Sequence, residues 1–262
     1  GFSLLLLYET LLKDPQKIYQ DLEQQKFKPL YFIFGDEPYL IQQCFLRFKN
    51  SVPIQGTEDF NYNLFYASEA SPTEIKEAVE TLPMMTSQRL VIVKDVQEFN
   101  DKQWAEMEDL IKEPVSSTVL VLLASKIDKR KKTLKMLVDA AESVEFKKPY
   151  ENQIPSWIQY IAQSVDIKIS EEAVHLLQAL VGSHLSEIEA EVIKLKEYVG
   201  ERGRIEVSDV AAVVSRSKEE NIFDFTRAVG ENDRARALEH LVHLLDQGQS
   251  EIGVVALLAR HV

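Results

Sequence analysis

Residues 30–40 combine a short apolar run with one glycine and two acids. This pattern predicts a strand, a glycine turn and the start of a helix, which is where a nucleotide-binding protein carries its phosphate-binding loop. That chemistry needs backbone N–H groups from a glycine-rich turn and a Lys-Ser/Thr pair for phosphate and magnesium. The turn here is Gly35-Asp36-Glu37, and no Lys-Ser/Thr pair follows it. Its carboxylates stabilise the N-terminus of the next helix by interacting with the helix dipole, but they would repel a triphosphate. The sequence therefore predicts a degenerate phosphate-binding loop, and we expect no cofactor.

No other combination of side chains in the sequence indicates catalysis or metal binding. The five histidines lie outside HExxH and Cys-His zinc patterns, and no serine lies in a GxSxG motif. His240 and His243 share a helix face but have no evident third ligand. We therefore expect neither a catalytic residue nor a metal ligand.

Met84 and Met85 stand where regular structure does not easily bury both side chains. They follow Leu82-Pro83 at the end of a helical pattern and precede a strand pattern at 90–93. Neighbouring side chains on a helix point about 100° apart, so one helical face would not easily cover both. Methionine is flexible and polarizable, and it suits an irregular pocket. Periodicity alone favours a gap in the chain's own core over a pocket on a partner.

The segment 126–135 is the dense basic run of an acidic chain, and it includes Lys129, Arg130, Lys131 and Lys132. Such a run is either a solvated loop and helix start or a contact for nucleic acid or an acidic partner. The residues do not decide between these alternatives. The run has no interleaved aromatic residue on which bases would stack.

Composition and charge limit the class of protein. The chain has 262 residues, of which 45% are hydrophobic, and a formal net charge of -12. This length suits two or three domains, and this charge disfavours strong, sequence-independent DNA binding by the chain alone. The single cysteine, Cys44, can form no internal disulfide, which fits a reducing cytoplasm. Because no apolar run reaches the ~18 residues of a membrane span, we expect a cytoplasmic protein without a membrane segment.

The elements that position these residues follow two patterns. Before residue 148, strand patterns alternate with helical ones, which predicts a parallel α/β sheet. The strand patterns are 30–34, 61–67, 90–93 and 119–124. One helix is predicted to begin at Ser71 with a capping box to Glu74, to carry Leu82 on its apolar face, and to end before Pro83.

From residue 149 onward, helical patterns replace the strands. They lie at 154–164, 170–181, 185–198 and 207–214. The sequence therefore predicts a small helical domain over 149–216, followed by a further helical segment over 217–262.

In order and spacing, these features resemble the AAA+ clamp-loader subunits, and more specifically the delta subunits of bacterial DNA polymerase III. The segments that carry the resemblance are 31–40, 80–93, 126–132 and 181–188. The resemblance implies an AAA+-like α/β domain over 1–148, a three-helix lid over 149–216 and the first part of a helical collar over 217–262.

The resemblance also implies a role for the two methionines. In this family, the residues after the Leu-Pro step form a hydrophobic wedge that enters a pocket on the sliding clamp and opens one interface of the ring. Met84 and Met85 occupy the wedge position, and Leu82 supports them. The family often has phenylalanine or a Leu-Phe pair there, so two methionines are a departure. Periodicity favours burial of the two methionines in the chain's own core, whereas the resemblance implies that they enter a pocket on a partner.

The implied function is that of a non-catalytic component of the DNA polymerase III holoenzyme. It would open the clamp for loading onto primed DNA without hydrolysing ATP itself. The expected partners are the sliding clamp (beta subunit), the ATPase subunits and the delta-prime subunit of the loader, and primed DNA in the assembled complex. Two other functions stay open, an atypical AAA+ ATPase and a DNA-binding module that uses the basic run.

Overall fold

Parallel strands form the framework of the first of two units, Gly1–Lys148 and Pro149–Val262. The structure is a computed structural model and describes residues 15–125 and 132–246. The strands of the first unit are β1 Leu30–Gly35, β2 Tyr62–Tyr66, β3 Arg89–Lys94, β4 Thr118–Ala124 and β5 Glu142–Phe146. They form one sheet in the order β2-β3-β4-β1-β5, and every neighbouring pair is parallel. The predicted parallel α/β sheet is confirmed.

Helices precede β1 and connect the strands that follow it, as parallel pairing requires. They are α1 Pro15–Glu23, α2 Pro38–Ser51, α3 Glu58–Asn61, α4 Pro72–Glu80, α5 Asp101–Lys112 and α6 Lys132–Ala140. Every residue of β4 is buried, because a central strand of such a sheet is covered on both faces. Strand β2 lies at the edge and is only half-buried, which explains its alternating sequence.

One apolar cluster lies between one face of the sheet and the helices α4 and α5. Alternate side chains of a strand point to the same face, so Phe32, Val91 and Leu120 reach this cluster together. From the helices the cluster includes Ile75, Val79, Met107 and Ile111. This packing fixes the position of α4, and with it the point where the chain leaves α4 toward β3.

Helix α4 has the predicted start but ends earlier than expected. The capping box is confirmed: the Ser71 hydroxyl accepts from the Glu74 N–H at 3.3 Å, and the Glu74 carboxylate accepts from the Ser71 N–H at 2.8 Å. The last helical residue is Glu80. The expectation that Leu82 shares the buried face is wrong, because the helix has already ended and Leu82 is 76% exposed.

Strand β5 was not predicted from the sequence. Its sequence, Glu-Ser-Val-Glu-Phe, alternates polar and apolar residues, and Val144 and Phe146 are the buried ones. The strand lies at the edge of the sheet and has only two apolar residues, so it lacks the continuous apolar run of the central strands.

The second unit is mainly helical. Its helices are α7 Ile154–Ser164, α8 Glu171–Val181, α9 Leu185–Val199, α10 Val207–Gly230 and α11 Arg234–Asp246. A two-residue parallel pair, β6 Lys168–Ile169 with β7 Arg204–Ile205, was not predicted because two residues show no periodicity. None of the helices that the structure describes is long and apolar enough to cross a membrane.

Helix α10 is longer than predicted. The sequence predicts a helix over 207–214 and a boundary between lid and collar at 216, whereas one helix runs from Val207 to Gly230. The predicted end at 214 is wrong, because no glycine or proline interrupts the sequence before Gly230. The division into a lid over 149–216 and a collar over 217–262 stays a prediction, and residues 247–262 lie outside the described residues.

Candidate functional site

The loop between α4 and β3, residues 81–88, exposes large apolar side chains; we call it the methionine loop. Leu82 is 76% exposed, Met84 53% and Met85 87%. The hypothesis that the methionines fill a core gap is therefore wrong. Fully burying one such side chain is worth about 1.5–3 kcal/mol, so the isolated chain leaves this stabilisation unused. Clustered exposed apolar residues of this kind mark interaction sites.

The backbone of this loop is held by a buried amide. Asn61 is fully buried at the end of α3. Its Oδ1 accepts from the Met84 N–H at 2.7 Å, and its Nδ2 donates to the Met84 carbonyl at 2.7 Å. An amide side chain places an acceptor oxygen and a donor NH₂ group in the same plane, so it can satisfy both polar groups of one residue. The Met84 backbone is therefore fixed while its side chain faces solvent.

Met85 adopts a backbone conformation that its side chain does not favour. Its φ is 61°, in the left-handed region. For a residue other than glycine, this conformation costs about 1–3 kcal/mol and persists only where neighbouring structure imposes it. Glycine or asparagine would adopt it more readily. Methionine at this position is therefore not explained by the needs of the backbone.

Further bonds attach the loop and the start of β3 to residues 53–63. The Thr86 hydroxyl donates to the Pro53 carbonyl at 2.5 Å. The buried Arg89 donates from Nη1 to the Phe60 carbonyl and from Nη2 to Asn63 Oδ1, both at 2.6 Å. Burial lowers the pKa of Arg89, and these two acceptors compensate part of the cost of burying its charge. Together with Asn61, these contacts form a polar frame beneath an apolar, exposed loop.

The turn at residues 35–37, which the sequence predicts to be a degenerate phosphate-binding loop, is closed by the end of β5 and the residues after it. The Asp36 N–H donates to the Phe146 carbonyl at 3.0 Å, and Asp36 Oδ1 accepts from the Lys148 N–H at 3.0 Å. The buried Glu37 carboxylate caps α2 by accepting from the Tyr39 N–H at 3.1 Å. The N–H groups of Asp36 and Tyr39, at the start of α2, are thus bonded within the chain instead of being directed at a phosphate.

The remaining candidate residues give no further site in the described part of the chain. No group of three or more His, Cys, Asp or Glu side chains there is arranged to hold a metal ion. Of the basic run, Lys129, Arg130 and Lys131 lie outside the described residues. Lys132 begins α6, and its side chain also lies outside what the structure describes.

Comparisons with known proteins agree on one family. A family model described as "DNA polymerase III, delta subunit" matches residues 31–147. The DNA polymerase III subunit delta of Bacillus subtilis is 32% identical over 252 residues, which cover 92% of this chain and 73% of the relative. The chain belongs to the DNA polymerase III delta-subunit family. The resemblance drawn from the sequence is thereby confirmed.

Solved structures show the same relationship for this delta-family chain. The Bacillus subtilis DNA clamp loader delta protein matches at 32% identity with a TM-score of 0.62, over 93% of this chain and 75% of that one. A RuvB variant from Thermotoga maritima matches at 12% identity with a TM-score of 0.52, over 85% and 76%. The second likeness shows the fold alone. The expected fold class, an AAA+-like sheet domain with helical parts, is confirmed.

Sequence reasoning missed the residues that fix the methionine loop in this delta-family chain. Asn61 lies 23 residues before Met84, and nothing in a single sequence links an asparagine to a distant backbone group. For Arg89 the sequence offers a weak indication. It is a charged residue directly before the apolar run of β3, and a charged residue that is buried there needs a hydrogen-bond acceptor.

Proposed function

We propose that this delta-family clamp-loader subunit binds the DNA sliding clamp through Leu82, Met84 and Met85, and that it opens the ring for loading onto primed DNA in replication. The observation that carries the proposal is the exposure of these side chains on a loop whose backbone is fixed from within. A protein core does not need such an arrangement, whereas a binding wedge does. The family's hydrophobic wedge corresponds to the same residues.

The mechanism is differential binding. A ligand shifts an equilibrium only by the difference between its affinities for the two states, so the wedge must fit the opened clamp interface better than the closed one. Burying two methionine side chains contributes ~3–6 kcal/mol before ordering costs. Shifting a two-state equilibrium from 1:99 to 99:1 needs ~5.5 kcal/mol. The upper end of this range reaches the size of such a shift, provided that the contacts form only with the opened interface and that ordering the loop costs little free energy.

The polar frame lowers the cost of ordering the methionine loop on binding. A loop that is ordered only on binding loses part of its contact energy to conformational entropy, whereas a preorganised loop keeps it. The two bonds from Asn61 to the Met84 backbone hold the loop before the partner arrives.

The proposal includes no ATP hydrolysis by this chain. The turn at Gly35, Asp36 and Glu37 lacks the Lys-Ser/Thr pair, and residues 146–148 engage its polar groups. ATP-dependent steps then belong to the ATPase subunits of the loader, with delta-prime and primed DNA joining in the assembled complex. The proposal places the protein in the cytoplasm, and it keeps Lys129 to Lys132 as candidate contacts for DNA or a partner.

The proposal is tested by the double substitution Met84→Ala with Met85→Ala, measured by surface plasmon resonance against the sliding clamp of the same organism. We expect at least ~100-fold weaker binding, equivalent to about 2.7 kcal/mol, and an unchanged urea midpoint because both side chains are exposed. The matched control replaces Leu238 and Val242, two exposed apolar residues of α11, by alanine. Normal clamp binding by the methionine variant would refute the wedge assignment.

A further inference from the structure

Phe60 is the one mostly exposed phenylalanine among the side chains that the structure describes, at 54%. It lies in the single-turn helix α3, whose other members include the exposed acids Glu58 and Asp59. The sequence analysis did not single it out, because an isolated phenylalanine before a strand pattern is usually a core residue.

The backbone of Phe60 is tied to the same polar frame as the methionine loop. Its carbonyl accepts from Arg89 Nη1 at 2.6 Å. The next residue, Asn61, binds both backbone polar groups of Met84 at 2.7 Å. Phe60 is therefore one residue from the amide that fixes Met84, and Arg89 holds its carbonyl group. The two segments 57–61 and 82–85 cannot move independently without breaking these bonds.

The fold does not account for the side chain of Phe60. It does not belong to the apolar cluster between the sheet and the helices α4 and α5. The contacts that hold this segment in place come from the buried side chain of Asn61 and from the backbone carbonyl of Phe60. Aromatic residues are enriched in the centres of protein interfaces, where a rigid ring fills a pocket at low entropic cost. An exposed ring whose backbone is bonded to the same polar frame as an exposed methionine pair has the properties of such an anchor.

We infer that Phe60 is a further clamp-binding residue, which together with Met84 and Met85 forms one docking surface from two segments of the chain. This inference rests on the proposed function. It implies that the clamp offers a second apolar contact in addition to the pocket that receives the methionines, and that the hydrogen bonds of Asn61 link the two segments that make these contacts.

The test compares Phe60→Ala with the methionine double variant on the same clamp sensor. We expect Phe60→Ala to bind at least ~10-fold more weakly, with an unchanged urea midpoint. Tyr150→Ala, which removes another exposed aromatic side chain, serves as the control and is expected to bind normally. If Phe60→Ala binds normally while the methionine variant does not, the inference fails and the proposed function stands. If both variants bind normally, the proposed function fails as well.

A second measurement covers the case in which Phe60→Ala lowers the urea midpoint. A benzophenone-bearing phenylalanine at position 60 keeps the aromatic ring and forms a covalent bond to a contacting surface under light. We expect it to crosslink to the clamp, and the same group at position 150 to give no crosslink. A clamp complex that forms normally but gives no crosslink from position 60 overturns the inference.

Discussion

At the scale of single residues, Met85 combines an exposed apolar side chain with a left-handed backbone. Each feature is unfavourable for the isolated protein. The Met85 side chain is too exposed to offset the cost of either feature by packing in the core. A residue that adopts the left-handed backbone more readily but has no apolar side chain should therefore keep the stability of the fold while weakening binding to the partner. Asparagine is that residue, since it adopts positive φ more readily than methionine does.

We predict that Met85→Asn leaves the free energy of unfolding unchanged or raises it by up to about 1 kcal/mol, because backbone strain is relieved. The same variant should bind the clamp at least ~10-fold more weakly, because the apolar side chain is lost. Urea unfolding and surface plasmon resonance measure the two effects. Met85→Leu is the control that keeps an apolar side chain at the same strained position. Wild-type affinity in the asparagine variant would contradict the role of Met85.

Asn61 allows a second test, because aspartate has the same shape but no N–H group. In Asn61→Asp the Met84 carbonyl loses its donor and faces a buried carboxylate instead. We expect the free energy of unfolding to fall by about 1–3 kcal/mol and amide hydrogen exchange in residues 84–88 to accelerate. Asn63→Asp is the matched control: its Oδ1 already accepts from Arg89, so a carboxylate there is tolerated. Equal exchange rates in the two variants would show that Asn61 does not hold the loop.

Only part of this residue-scale picture could be predicted from the sequence. Pro83 and the capping box located the end of α4 to within a few residues, and the two methionines were identified as unusual. Periodicity nevertheless favoured the core, because exposure depends on whether other elements cover a residue. The contact from Asn61 to the Met84 backbone joins two segments far apart in the chain, and a single sequence does not show such a pair.

At the scale of elements, helix α4 begins at a capping box and leads into the methionine loop. Ser71 and Glu74 satisfy N–H groups that would otherwise lack partners at the helix start. The hydrogen bonds from Ser71 lower the pKa of Glu74 from its usual value of 4.5. A carboxyl whose pKa is lowered in the folded state stabilises the fold above its unfolded pKa and loses this effect as the pH falls through its folded pKa.

We therefore predict that Ser71→Ala costs ~1 kcal/mol at neutral pH. Part of this difference should disappear as the pH falls below 4.5, because the variant loses the hydroxyl bond to the Glu74 carboxylate but keeps the backbone one. Urea unfolding of both proteins across this range measures the difference, with Thr73→Ala as the control in the same turn. A difference that stays constant on acidification would show that the box does not depend on the Glu74 charge.

The turn between β1 and α2 is a second element with a specific requirement. A Cβ at Gly35 would lie 1.9 Å from the Phe146 carbonyl oxygen, and the φ of Gly35 is 149°. We predict that Gly35→Ala lowers the free energy of unfolding by roughly 2–6 kcal/mol, from steric overlap and strain together. Gly56→Ala is the control, because its φ is 76° but no atom lies within 4 Å of the added Cβ. Equal losses in the two variants, measured by urea unfolding, would contradict the close packing of this turn.

The elements differed in how well the sequence predicted them. The central strands β3 and β4 have continuous apolar runs because both of their faces are covered, and their residues were identified almost completely. The edge strand β5 and the pair β6 and β7 were missed because they are short and carry few apolar residues. Helix α10 was predicted too short, since the expected domain boundary suggested an end that the residues themselves do not show.

At the scale of the whole molecule, the sheet domain holds the methionine loop at one place and the closed turn at residues 35–37 at another. Both lie in the first unit, and both are held by buried or backbone polar contacts. A chain built in this way would obtain the energy of ring opening from binding and not from nucleotide. The order of motifs along the sequence was enough to predict this family, because it reflects the whole arrangement and not any single strong motif.

Ring opening in the absence of nucleotide tests the central claim most directly. The clamp carries a pair of fluorophores across one subunit interface, and their separation is followed while this chain is added without ATP. We predict that the wild-type chain separates the pair and that the Met84→Ala, Met85→Ala variant at the same concentration does not. A ring that stays closed at saturating wild-type chain, or one that the variant opens equally well, would contradict the account.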